Sequence, residues 1–226
     1  PSVCDHLLSR FAPFGLHAKN RSADCIRDLV DAVASGDVSG ARDWVERALG
    51  AGRTPGAVLV EDLQRVARRF DIARRDARCD STRYAVSVSC LRLLACDLSR
   101  RMPTRHLATD RTLCMCACAG SVPLLDTTLH AIYARVAGWR VFEWENIDPH
   151  EALSGAKAPM SDVVFCAVAN KRDLRGVRAL RAVFGPKCFV VGSQLDSHLM
   201  RQTGLSASRI LFDPRETLEL LTRLER

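Results

Sequence analysis

Apolar residues in the first half of the chain recur every three or four positions, whereas in the second half they bunch into short runs separated by longer periodic stretches. Ser22 is placed to cap a helix with Ile26, Leu29, Val30 and Val33 on one face, and Gly36 to stop it. A second helix carries Val38, Ala41, Val45, Ala48 and Leu49 and ends at Gly50 and Gly52. Thr54-Pro55 then supplies an N-cap with proline at the first helical position, opening a third helix striped by Val58, Leu59, Leu63, Val66 and Phe70. Past a polar, arginine-rich stretch, 71–80, Ser81 can cap a fourth helix with Tyr84, Val88, Leu91, Ala95 and Leu98 facing inward. Four amphipathic helices with short connections predict a bundle.

Residues 102–111 include a proline and have no strong period, which marks a linker. Beyond it, 113–119, 140–145, 162–168, 188–192 and 209–213 read as strands. Between them lie helical stripes: Leu124, Leu125, Thr128, Leu129, Ile132 and Val136, stopped by Gly138; Leu174, Val177, Leu180 and Val183, stopped by Gly185; and Leu218, Leu221 and Leu224 after Asp213-Pro214. Such alternation predicts right-handed βαβ units and a parallel sheet covered on both faces. The expected class is therefore α/β: an N-terminal arm (1–21), a four-helix bundle cap (22–102), a linker (103–111) and a five-stranded parallel, doubly wound, Rossmann-like domain (112–226). A ligand or partner held between the two halves would suit this plan. Ligands of open sheets sit beyond the carboxyl ends of the strands. The loops at 120–123, 169–172 and 192–194 are thus the binding candidates, with Ser121, Val122, Pro123, Asn170, Gly192 and Ser193 as their residues.

Composition narrows the setting. At 226 residues and 47% hydrophobic, the chain has material for two small cores. No segment approaches the ~18 apolar residues that a membrane span needs, and the first residues lack a signal pattern, so a soluble, cytoplasmic protein with no membrane role is expected. The ten cysteines fall mostly within apolar periodic stretches, as in a reducing compartment. The net charge of +7 is spread over both halves with no basic tail and no helix-turn-helix spacing, which argues against direct nucleic-acid binding and leaves a DNA-binding regulator as a remote alternative.

After the first strand the chain reads Cys118-Ala119-Gly120-Ser121-Val122-Pro123, with neither a dinucleotide nor a P-loop glycine pattern. A phospho-acceptor site would need acidic residues ending the first and third strands, and Val168-Ala169-Asn170 offers none. No nucleophile elbow, histidine-rich run or well-placed carboxylate pair emerges, so a non-enzyme is expected.

A helical bundle leading into a five-stranded α/β domain resembles the cobalamin (B12)-binding superfamily. The residues that carry the resemblance are the cap stretch 29–62, the run 113–145 with Ala137-Gly138-Trp139-Arg140-Val141, and the closing turn Asp213-Pro214-Arg215-Glu216. In cobalamin-binding members the loop after the first strand reads D-x-H-x-x-G, and its histidine ligates cobalt. Counting back from Gly138-Trp139 puts Ser121 at the aspartate, Pro123 at the histidine and Asp126 at the glycine. Proline cannot ligate a metal, and losing the glycine narrows the channel for the cofactor's nucleotide tail. The family's Glu-His pair above the corrin is also missing, with Thr82 and Arg83 nearby instead. These departures argue against histidine-ligated cobalamin. They are similar to the degenerate, haem-sensing branch, the SCHIC domains of AppA- and PpaA-type antirepressors of photosynthesis genes. That resemblance implies a sensor holding haem, another tetrapyrrole or no cofactor, and contacting a transcriptional repressor protein. A cobalamin carrier or photosensor with an atypical ligand is the alternative.

Individual residues follow from this frame. Cys114, Cys116 and Cys118 alternate onto one strand face with Cβ atoms ~6.5–7 Å apart, too far for the strand alone to build a zinc site. Small buried residues is the ordinary reading, and redox sensing by Cys118, nearest the loop, the functional one. His106, in the linker, is the candidate haem and metal ligand, against simple exposure; His130 and His198 read as exposed. Phe70 and Tyr84 stand at positions suited either to stacking on a tetrapyrrole or to core packing. Trp44, Trp139 and Trp144 read as packing residues. Arg65, Arg68, Arg69, Arg74, Arg75 and Arg78 form a solvated face or a contact for propionates or an acidic partner.

Overall fold

The computed structural model describes residues 22–76, 78–103, 110–118, 125–147, 161–168, 171–192 and 197–224. The chain divides into two compact units, with the boundary after Met102.

The first unit contains helices α1 (Ser22–Ser35), α2 (Val38–Gly50), α3 (55–75) and α4 (Ser81–Ser99). Leu29, Val33, Leu59, Leu63, Leu91 and Leu98 are buried at its centre, as their periodicity predicts, and Leu94 joins them. Thr54 caps α3 as expected, its Oγ1 accepting from the Ala57 N–H at 3.2 Å. Two local expectations fail. The cap of α4 is Asp80, whose Oδ1 accepts from the Arg83 N–H at 2.8 Å, and Ser81 is already helical. The polar stretch also begins later than its composition implies, because α3 runs on to Arg75.

Within α3, Val58–Leu63 forms a π-helical stretch that no sequence pattern announced. Its wider turn carries more of the helix circumference inward, and five of its six residues are buried, Asp62 among them. Arg53 Nη1 lies 2.6 Å from the Asp62 carboxylate. Burial pushes the Asp62 carboxyl up from its ordinary range, and Arg53 opposes that shift.

The second unit is a five-stranded, all-parallel sheet in the order β2-β1-β3-β4-β5. Its strands are β1 (Thr112–Cys118), β2 (Arg140–Ile147), β3 (Val163–Ala167), β4 (Cys188–Val191) and β5 (Ile210–Leu211), the last shorter than its sequence run. Helices α5 (Leu125–Val136), α6 (Leu174–Phe184), α7 (Ser197–Thr203) and α8 (Pro214–Leu224) accompany them. Gly138 and Gly185 stop α5 and α6 with φ of 92° and 53°, a region where a Cβ is costly.

Period-two alternation sorts the strand side chains into two cores. One face presents Leu113, Met115, Phe165, Phe189, Val191 and Leu211 to α5 and α8, which contribute Ala131, Ala134 and Leu221. The other presents Cys114, Cys116, Val164, Cys166, Cys188 and Val190 to Leu174, Val177 and Leu180 of α6. Trp44 and Trp139 are buried packing residues.

Candidate functional site

Strand order reverses between β1 and β3, which pair directly while their connections leave to opposite sides. The carboxyl ends of these two strands are the ligand-binding position of a doubly wound sheet. Of the sequence candidates there, Ser121, Val122, Pro123, Asn170 and Ser193 lie outside the described residues, as does His106. Gly192 is described: it is buried and its N–H donates to the Leu211 carbonyl at 3.1 Å. The strand position of Cys118 is described, at a register irregularity against β2, and its side chain is not.

Phe70 and Tyr84 belong to the core of the first unit, 7% and 2% exposed. The Tyr84 hydroxyl is 2.5 Å from Asp71 Oδ1, and the Arg74 guanidinium stands 4.6 Å over the Tyr84 ring. Both side chains pack within the first unit. Arg65, Arg68, Arg69 and Arg78 are exposed, Arg74 is half-buried, and the Arg75 side chain lies outside the described set.

Four buried thiols share the α6 face of the sheet: Cys114, Cys116, Cys166 and Cys188. The Cys114 and Cys116 sulfurs approach to 3.5 Å, far closer than their Cβ spacing implies, because the side chains lean together. No metal-holding group of three or more His, Cys, Asp or Glu side chains occurs among the described residues. Burial pushes the Cys188 thiol up to about 11, which keeps it protonated and inert.

The main correction concerns His130, expected at the surface. It is fully buried on α5, its Nδ1 2.7 Å from Thr217 Oγ1 on α8, and its ring stands edge-on to Phe165 at a centroid separation of 6.3 Å. Among the described residues its Nε2 has no hydrogen-bond partner, nor has Thr128 Oγ1. Burial pushes the imidazole down to about 4, against the opposing pull of Asp126 and Asp213. Asp126, one turn earlier on α5, is itself only 5% exposed. Asp213, just past β5, is held below the usual carboxylate range: burial alone would raise it, but hydrogen bonds from Arg215 prevail. The sequence did contain a signal, since Asp126, His130 and Tyr133 repeat at helical spacing on a helix whose other faces are also apolar. His198, by contrast, is exposed as expected and bonds Gln202 at 2.9 Å.

A helical unit precedes, along the chain, a parallel sheet in the order 2-1-3-4-5, which is a doubly wound fold. The chain is similar in fold to the monomethylamine corrinoid protein of Methanosarcina barkeri, at 11% identity and a TM-score of 0.67, covering 89% of this chain and 98% of that one. A cobalamin-binding protein of Desulfitobacterium hafniense matches at 12% identity and a TM-score of 0.42, over 88% of this chain and 97% of that one. A methanol:cobalamin methyltransferase complex of Methanosarcina barkeri matches at 10% and 0.42, over 99% and 89%. No family model and no curated protein sequence matches. The expected α/β plan with a five-stranded parallel sheet is therefore present.

The resemblance assigns the loop histidine's position to Pro123, which lies outside the described residues, and the glycine's position to Asp126, which is a buried carboxylate.

Proposed function

We propose that the chain is a non-enzymatic sensory or carrier module that takes a flat tetrapyrrole of the corrinoid class at the carboxyl edge of its sheet, without an axial imidazole from the loop, and signals the ligand's presence to a partner protein. The observation that carries this reading is the likeness in fold, across both units, to a protein named for its corrinoid. The sharper form of the proposal makes the partner a transcriptional repressor and admits haem as the ligand, with His106 as its axial residue. It rests on the loop departures alone.

The test is retention of ligand by the purified full chain. Incubation with a corrinoid, then gel filtration, should leave cobalt co-eluting with protein, with an absorption spectrum lacking the signature of protein imidazole on cobalt. Protein that emerges free of cobalt would overturn the corrinoid reading. For the sharper form, haem added at one equivalent should give a shifted Soret band that His106→Ala abolishes.

A further inference from the structure

The first turns of α5 and α8 both lie at the carboxyl edge of the sheet, because α5 opens at Leu125 beyond β1 and α8 at Pro214 just beyond β5. The two helices pack against each other on one face of the sheet. A ligand arm reaching down this face between the two helices would meet those first turns.

That passage is closed by side chains. Asp126 and His130 of α5 and Thr217 of α8 are 5%, 0% and 0% exposed, and the 2.7 Å contact of His130 Nδ1 with Thr217 Oγ1 ties one helix to the other. Pro214 is buried beside them. Below the imidazole lies Phe165, which is in turn edge-on to Phe189 at 5.8 Å, so the lock rests on packed rings. The opposite face is sealed by α6 over the four cysteines.

Resting on the corrinoid reading above, we infer that this chain selects among tetrapyrroles by their appendages: it takes rings without a long nucleotide tail, and the Asp126–His130–Thr217 lock is the selecting device. To admit a tail, the His130–Thr217 bond must open and two buried polar groups lose their partners, a loss that corresponds to at least about tenfold in affinity.

The probes are dicyanocobinamide, which lacks the tail, and hydroxocobalamin, which carries it. Each is titrated by absorbance against the full-length wild type, Asp126→Gly and Thr217→Val, with circular dichroism melts establishing that each variant is folded. Asp126→Gly removes the carboxylate and opens space, whereas Thr217→Val keeps the shape and removes only the hydrogen bond. The expected result is at least tenfold tighter binding of the tailless ring to wild type, falling below about threefold in Thr217→Val, with Asp126→Gly narrowing the gap by less because the His130–Thr217 bond remains. Equal or tighter binding of hydroxocobalamin to wild type overturns the selectivity and leaves the corrinoid reading standing, as does a folded Thr217→Val that keeps the full gap. Binding of neither ring overturns both.

Discussion

Replacing His130 by asparagine should flatten the dependence of stability on pH between 7 and 5. In the folded chain burial holds the imidazole at about 4, while in the unfolded chain it titrates at the ordinary 6.5. As pH falls through 6.5 the unfolded state takes up a proton that the folded state refuses, so stability is lost progressively and the loss levels off below about 4. The full interval of 2.5 units corresponds to about 3.4 kcal/mol, of which about 2 kcal/mol falls between pH 7 and pH 5. That is a large share of a typical domain stability of about 5–15 kcal/mol. Asp62, whose carboxyl is raised, works in the opposite sense as pH falls, and Asp162 and Asp213, whose carboxyls are lowered, lose their contribution only as pH drops through the acid range below 3.8. Asparagine keeps a polar atom near Thr217 Oγ1 and cannot titrate. Urea unfolding at pH 7, 6 and 5 should therefore show wild type losing about 2 kcal/mol more than His130→Asn. Parallel slopes in the two proteins, or an imidazole carbon resonance in wild type that titrates near 6.5, would refute the argument.

Three further outcomes follow from single contacts. Phe165→Ala, at a fully buried ring packed between His130 and Phe189, should lower the unfolding free energy by about 3–5 kcal/mol in the same urea assay. Asp80→Ala removes the acceptor for the Arg83 N–H and should cost about 1 kcal/mol, read as a lowered urea midpoint with an unchanged slope. Arg53→Met strips the counter-ion from buried Asp62 and should cost about 3 kcal/mol at neutral pH, less in acid where the carboxyl is protonated; an equal cost at pH 7 and pH 4.5 would refute the pairing.

What the chain revealed before its structure depended on how local each cause is. Helix stops at Gly36, Gly138 and Gly185 were legible because a left-handed backbone is a property of one residue. Strand faces were legible because period two is set by the backbone itself. The π-helical stretch in α3 was not, since no single residue's preference marks such a turn. The extra cysteines of the thiol face escaped for a related reason: Cys166 and Cys188 join Cys114 and Cys116 only through strand register, which the sequence of one strand does not specify.

His130 shows most clearly why an architecture is easier to read than a site. Histidine is a polar residue, and an apolar stripe through Leu125, Leu129 and Ile132 leaves His130 off the face it defines. Yet all of α5 except Thr127 and Arg135 is buried, since the helix is covered by the sheet on one side and α8 on another. A stripe assumes one buried face, and here there are two. The second face is the one that joins α5 to α8, where Asp126 replaces a glycine of the resembled family and His130 meets Thr217. Asp126 and His130 are thus buried one turn apart on the same helix, near the end of α5 that follows β1, because that helix is covered on two sides rather than one.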